Sequence, residues 1–403
     1  MSAPFITLVG IGEDGFAGLS DAARRAIADA DHLVGSERHL ALAGEAKAQR
    51  HPWPTPLETL FDAIEGWRNS RVVILATGDP MTFGVGKKLL TRFSAHDMIV
   101  LPAPSAFALA AARLGWPVQD VDTVSLHGRP ASLIEPLIAP GNRILALTND
   151  GGTIAEVAAR LVKRGFHDSV LTILENMGGP AEAVHRLLAR EVGTRSFGPF
   201  NTLAIDCVAR RDAVLLPRVP GLPDGAFLHD GQMTKREVRA ATLAALQPAP
   251  DLLLWDVGAG CGSIAIEWMR SARNAQAIAF ERDPKRLEMI SANADALGAP
   301  RLKIVPGALP DTLRGQPSPD AAFIGGAIGD EGVFDAVWRA LKPGGLLVAN
   351  TVSLDGEARA LDLHAVHGGD LVRIDVSHLE RIGGMRVLRP RMAVLQWRTQ
   401  KPW

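Results

Sequence analysis

From Leu252 onward the chain alternates between two hydrophobic rhythms. Short contiguous apolar runs predict strands at 252–257, 277–281, 302–306, 321–325, 346–351, 370–376 and 392–398. Apolar residues at helical spacing between them predict helices at 234–246, 262–272, 284–297, 331–341 and 354–365. Pro343-Gly344-Gly345 is a turn into a buried strand. Thr234-x-x-Glu237 has the form of a capping box opening the first of these helices. This strand–helix order predicts a doubly wound, mostly parallel α/β sheet.

The upstream half alternates too. Strands are predicted at Phe5–Val9, Val72–Ala76, Met98–Leu101, Arg143–Leu147, Val170–Leu174 and Thr202–Asp206, with a helix at Ala22–Ala30. Gly115-Trp116-Pro117 breaks the pattern and divides this half into two small α/β lobes. Between the halves, Leu216–Gly225 holds three prolines and two glycines in ten residues, which no helix or inner strand tolerates. The predicted organisation is a domain over 1–212, a linker over 213–228 and a second domain over 229–403, each domain of ordinary size.

Composition narrows the function classes. A chain of 403 residues exceeds what one core usually holds. A net charge of −1 gives no electrostatic reason to expect nucleic acid or a membrane surface, and 5% aromatic residues leave few stacking platforms for RNA. No apolar run reaches the roughly 18 residues of a membrane helix, and Met1–Gly10 lacks the basic and apolar segments of a signal peptide. Cys207 and Cys261 are the only cysteines, so there is no disulfide framework or zinc quartet, and a cytoplasmic setting is expected. Cys207 ends an apolar strand and reads as core; Cys261 reads as a small residue tolerated in a glycine loop. His127, His185 and His378 are scattered and read as surface residues, and no metal site is expected.

The most informative segment is Leu252–Ser263, an apolar strand run, then Asp256, then glycines at 258, 260 and 262, then a helix start. Such glycines allow a sharp turn and close ligand approach, and the helix behind them points free N–H groups at the ligand. A dinucleotide fingerprint is G-x-G-x-x-G; here the third glycine comes one residue early. Glu281 ends the next strand, where a carboxylate can accept two ribose hydroxyls. This G-x-G-x-G plus acid pattern resembles the class I S-adenosylmethionine (SAM) methyltransferases.

Two other glycine-rich segments lie upstream. Gly10–Gly15 spells G-x-G-x-x-G, the basis of an alternative nicotinamide-dependent oxidoreductase reading, but Asp31 precedes the next strand instead of ending it, so it is not read as a dinucleotide site. Thr77–Gly86 follows a strand and combines Gly78, Asp79 and Pro80 with Gly84 and Gly86. Met81 and Lys88 exclude a phosphate-binding Walker loop, leaving a ligand loop of unknown type or a plain turn.

Together with Pro102–Pro117, Leu147–Asp150 and Glu175–Gly178, these upstream segments resemble the tetrapyrrole (corrin/porphyrin) methylases, in their C5-methylating precorrin branch. Gln232–Arg239, the G-x-G-x-G loop, Phe323–Gly326 and Asn350-Thr351 resemble the decarboxylating precorrin methyltransferases. The pairing is more specific than either half and spans nearly the whole chain. It implies a cobalamin-pathway enzyme with two SAM sites and a tetrapyrrole substrate. The upstream site would use Gly10, Gly78, Asp79, Pro80, Phe83, Gly84, Ser105 and Ala106. The downstream one would use Thr234, Gly258, Ala259, Gly260, Cys261, Gly262, Glu281, Gly307, Ala308 and Leu309. Ala308 presents a methyl where an acid often binds adenine, which assigns that contact to backbone. The first domain would methylate carbon 5; the second would methylate carbon 15 and remove carbon dioxide from the ring C acetate. The resemblance also implies a homo-oligomer.

Transfer from a sulfonium to an electron-rich carbon needs positioning more than a nucleophilic side chain. Decarboxylation needs a proton donor, for which Glu267, Asp230 and His229 are candidates. The substrate's carboxylates call for cations. Lys235, Arg236 and Arg239, Lys87, Lys88 and Arg129, and Arg381, Arg386, Arg389 and Arg391 are available, with Arg381 and Arg386 favoured because Gly383-Gly384 between them suggests a closing loop. An RNA methyltransferase is the main alternative, requiring a basic stripe that the charge balance does not supply. A non-catalytic SAM sensor is a third reading.

Overall fold

A computed structural model describes residues 4–403; the first three residues of the N-terminal stretch read above lie outside it. The chain divides into two compact units. One comprises the residues up to Ala131 with Pro140–Ala213, and the other Ser132–Ala139 with Val214–Trp403.

The first unit contains two five-stranded sheets. Strands Ile6–Ile11 (β1), His32–Gly35 (β2), Gln49–Pro52 (β3), Val72–Thr77 (β4) and Met98–Leu101 (β5) form an all-parallel sheet in the order β3-β2-β4-β1-β5. β4, Val-Val-Ile-Leu-Ala-Thr, is buried along its first five residues, as an inner parallel strand covered on both faces must be. Strands Asp122–Ser125 (β6), Arg143–Leu147 (β7), Val170–Glu175 (β8), Ala183–Leu188 (β9) and Asn201–Asp206 (β10) form the second sheet, ordered β6-β7-β10-β8-β9. Only β6 and β7 run parallel there. The helix Ala106–Leu114 ends on Gly115 in the left-handed conformation, at the predicted break between the lobes.

The second unit is a seven-stranded sheet. Leu253–Val257 (β11), Gln276–Glu281 (β12), Lys303–Pro306 (β13), Ala321–Gly325 (β14), Leu346–Thr351 (β15), Asp370–Ile374 (β16) and Val394–Gln400 (β19) are ordered β13-β12-β11-β14-β15-β19-β16. β19 is antiparallel to both neighbours; the other pairs are parallel. The order reverses direction at β11, so the crevice where such sheets bind ligands opens at the carboxyl ends of β11 and β14. Two apolar layers sandwich the sheet, one built around Trp268 and Ile264, the other around Trp255, Phe280 and Trp397.

Two local expectations fail. The helix opens at Arg236 with Lys235 as an N-cap lacking a side-chain bond, so Thr234 and Glu237 form no capping box. The Thr234 carbonyl is instead held by Arg239 Nη1 at 2.6 Å. The segment containing Arg381 and Arg386 is not a free loop: Ser377–Ile382 (β17) and Met385–Pro390 (β18) pair as a hairpin, with Gly383-Gly384 as its two-residue turn.

Candidate functional site

The first unit holds a cleft of about 540 Å³ to which both sheets contribute, within the range of small-molecule sites. It forms where β1 and β4 end side by side and the chain after β5 crosses them. That crossing is close: Ala103 N–H donates to the Gly78 carbonyl at 3.2 Å, and a Cβ on Gly10 would overlap both groups. Only glycine fits at position 10.

Of the residues assigned to this site, Gly78, Asp79, Phe83, Gly84, Ser105 and Ala106 line the cleft. Gly10 and Pro80 are buried and are not among its lining residues; Gly10 packs against Gly78, which is. Asp79 holds its own turn, accepting from Met81 N–H at 2.9 Å and Thr82 Oγ1 at 2.7 Å. Ser105 caps the helix Ala106–Leu114 by accepting from Ala108 N–H at 3.1 Å. Phe83 has φ +54°, a strained backbone for an aromatic residue, and its ring packs edge-on against Phe107 with Arg129 over its face.

His39 belongs to this site too, although nothing in its local sequence marks it. It is buried in the wall, 2.8 Å from Thr77 Oγ1. Burial, with the Arg38 guanidinium beside it, pushes its imidazole down to about 4, so it is neutral near pH 7. Arg38 also bonds Glu13 and Thr77 and lies over the Phe200 ring at 4.4 Å. His127, read as a surface residue, is exposed but lines the cleft.

In the second unit the loop after β11 takes left-handed backbone at all three glycines, with φ of 77°, 59° and 80° at 258, 260 and 262. A side chain would be strained at each. Gly258 and Ala259 N–H bond the Phe280 carbonyl at 3.1 and 3.0 Å. Gly260 N–H bonds Glu281 Oε2 at 2.9 Å, while Glu281 Oε1 accepts from Arg282 and Asp283 N–H. Cys261 is buried, and burial raises its thiol pKa. Gly307, at φ +131°, is tied by its N–H to the Glu281 carbonyl at 3.0 Å, which brings the 307–309 turn to the end of β12.

Asp256 is fully enclosed. Oδ2 accepts from Ala265 N–H at 3.0 Å, Oδ1 has no partner, and burial, reinforced by Glu281, pushes the carboxyl up to about 7. The side-chain-free glycine loop and the Glu281 carboxylate at the strand end fit a nucleoside ligand, whereas Asp256 is sealed beneath them.

Two of the three candidate proton donors are held in ion pairs. Buried Glu267 pairs with Arg239 Nε at 2.6 Å and accepts from Gly221 and Leu222 N–H. Asp230 pairs with Arg286, and His229 Nδ1 accepts from Gly231 N–H. Glu267 therefore fastens the segment read as a linker onto the second unit. Arg381 and Arg386 face each other across the hairpin, both exposed. Arg389 and Arg391 are paired with Glu380.

Fold and glycine loops together are those of a methyltransferase made of two α/β units. Residues 6–193 match the family described as Tetrapyrrole (Corrin/Porphyrin) Methylases, and residues 225–401 the Precorrin methyltransferase domain. Over 396 residues the chain is 48% identical to the precorrin-6Y C(5,15)-methyltransferase [decarboxylating] of Sinorhizobium sp, covering 98% of this chain and 96% of that protein, and it belongs to that family. Shorter relatives match about half of it. The cobalt-precorrin-7 C(5)-methyltransferase of Salmonella typhimurium is 31% identical over 45% of this chain and 90% of its own length. The cobalt-precorrin-6B C(15)-methyltransferase (decarboxylating) of Salmonella typhi is 34% identical over 42% of this chain and 89% of its own. Among the described residues no helix is long and apolar enough to cross a membrane.

Proposed function

We propose that this chain transfers two methyl groups from SAM to a precorrin-6-stage macrocycle, at carbon 5 from the first unit and at carbon 15 from the second. The second unit also removes the ring C acetate carboxyl, so that the product is precorrin-8. The observation that carries this reading is the presence, in one chain, of two unrelated glycine-lined sites, each at the carboxyl ends of parallel strands. Shorter relatives named for the C5 and C15 reactions separately support the division of labour.

SAM supplies an activated methyl on a sulfonium. In the second unit Gly258–Gly262 and the 307–309 turn leave backbone open to it, Glu281 meets its ribose, and Thr234 closes the site from the preceding segment. In the first unit Gly78, Phe83, Gly84, Ser105 and Ala106 line its cleft, with Gly10, Asp79 and Pro80 holding the loop that forms it. The chain's contribution to the transfer itself is orientation and water exclusion, and the Cys261 thiol in the loop is buried with its pKa raised by that burial. Loss of carbon dioxide leaves an electron pair that the conjugated macrocycle can delocalise, followed by protonation at carbon. Arg381 and Arg386 are the unpaired cations we assign to substrate carboxylates. Leu379, Ile382, Met385 and Leu388 on the same hairpin, each more than half exposed, support assembly with further copies of the chain.

The test is mass spectrometry of a precorrin-6-stage substrate incubated with SAM and the full-length protein. The reading expects a gain of two methyls and the loss of one carboxyl. Incorporation of a single methyl with the carboxyl retained would refute it.

A further inference from the structure

The segment before the helix Arg236–Leu246 runs as a strap, residues 227–234, across the glycine loop of the second unit. The Gln232 carbonyl comes within 3.6 Å of where a Cβ on Gly260 would stand. Its near end is anchored by buried Phe227 and its far end by Arg239, through the Thr234 carbonyl.

Between these anchors the strap is fastened by one helix, Pro284–Ala296. Arg286, Ile290 and Asn293 stand four and three residues apart, on one face. A Cβ on Gly262 would stand 3.0 Å from Ile290 Cγ2, so that side chain lies close against the loop. Arg286 bonds Asp230 at 2.9 Å and Gln232 Oε1 at 2.6 Å. Asn293, 1% exposed, does more. Its Oδ1 accepts from Leu228 N–H at 2.7 Å, while Nδ2 donates to the Leu228 carbonyl at 2.9 Å and to the Cys261 carbonyl at 3.0 Å. One buried amide, with both its N–H groups used, thus joins the strap to the glycine loop.

We infer that Asn293 is a positioning residue for SAM in the second unit, setting the height of the strap over the Gly258–Gly262 loop, with Arg286 as the strap's outer clasp. The inference rests on the proposed function. An amide is the side chain this junction needs: it must accept from one N–H and donate to two carbonyls at once. Asn293→Asp keeps the size and the acceptor but turns both donations into oxygen–oxygen repulsion. The strap and loop separate, and the ligand held between Thr234 and Gly260 binds more weakly. The chemistry at bound SAM is untouched.

The experiment titrates the full-length protein with SAM and measures KM and kcat for each methylation by mass. Wild type binding only one equivalent would overturn the functional reading, and this inference with it, before any variant is made. With two equivalents bound, Asn293→Asp is expected to weaken one of them about ten- to a hundredfold, the range for a spoiled buried hydrogen-bond junction. KM for SAM in the carbon 15 reaction rises with it, kcat at saturation holds, and the carbon 5 reaction is unchanged. A purely structural role would instead lower the melting temperature and carbon 15 kcat at every SAM concentration, leaving KM alone. Arg286→Ala, at a partly exposed side chain, gives a smaller KM shift in the same direction and decides the matter if Asn293→Asp does not fold. Unchanged affinity for both equivalents in the variants that fold would overturn the proposal.

Discussion

Glu281 accepts the backbone N–H of Gly260 at 2.9 Å, tying the end of β12 to the middle of the glycine loop. Its other oxygen takes the N–H groups of Arg282 and Asp283 at 2.8 and 3.0 Å. The carboxylate assigned to the ribose therefore also holds the loop in its ligand-ready shape. A glutamine has one acceptor oxygen and an NH₂ group, so either the Gly260 contact or the Arg282 and Asp283 contacts must turn repulsive. Glu281→Gln is expected to raise KM for SAM in the carbon 15 reaction about ten- to a hundredfold, as for loss of a charged hydrogen bond. The carbon 5 reaction in the same chain serves as the control. Equal damage to both reactions, followed separately by product mass, would contradict the independence of the sites.

The corresponding test in the first unit is Gly10→Ala. The added methyl collides with the Gly78 carbonyl and the Ala103 nitrogen, which are hydrogen-bonded to each other. Relief requires β1, the Gly78 turn and the segment after β5 to separate. The expected result is loss of carbon 5 methylation with carbon 15 methylation retained. The overpacking should destabilise the first unit by about 1–3 kcal/mol. Thermal unfolding and product mass read the two effects. Wild-type carbon 5 activity in Gly10→Ala would show that this close crossing does not shape the site.

Gly258 and Glu281 are legible in the sequence as strand-end positions, whereas Gly10 enters only through the family resemblance. Gly258 and Glu281 lie at ends of inner parallel strands, where contiguous apolar runs such as Val72–Ala76 and Leu252–Val257 announce the strand. The glycine or acid that follows announces the turn. What escaped lacks such a local signature. β3 and β9 are edge strands whose exposed polar residues, among them Gln49, Arg50, His185 and Arg186, carry no apolar run. The hairpin β17–β18 reads as charged loop because most of its residues are exposed and four of them are arginine or glutamate. Thr234–Glu237 fits the capping pattern, yet Arg239 draws the Thr234 carbonyl away and Glu237 points instead toward His378, at 3.7 Å. His39 and Asn293 acquire their roles only when distant segments, Thr77 for one and Leu228 with Cys261 for the other, are folded against them.

His39 makes the first unit acid-sensitive in a defined window. Burial depresses its folded pKa to about 4, whereas the unfolded side chain titrates near 6.5. Between these values the unfolded chain binds a proton that the native state refuses. Stability from this group is therefore complete above pH 6.5 and is lost as pH falls toward 4. The full difference is on the order of 3 kcal/mol. His39→Gln cannot be protonated and is expected to flatten the pH dependence of denaturant unfolding in that window. Superimposable slopes for the two proteins would show that His39 is charged or accessible in the native state.

The hairpin β17–β18 carries the last prediction. A two-stranded sheet standing alone is marginal in water, and this one places Leu379 opposite Leu388 and Ile382 opposite Met385, with exposures between 53% and 70%. The apolar pairs fall on both faces, because positions 379 and 382 differ by an odd number of residues. Packing against β15 or β19 would cover one face only, and neither strand pairs with the hairpin. A second copy offers the same strands with the same free edges, the self-complementarity of a two-fold interface. Leu388→Glu places a charge opposite Leu379 and should shift the full-length protein toward monomer in analytical ultracentrifugation, with carbon 5 methylation unaffected. A wild-type protein that sediments as a monomer at micromolar concentration, or a variant that assembles as well as wild type, would remove the hairpin from any interface and leave its role to Arg381 and Arg386 alone.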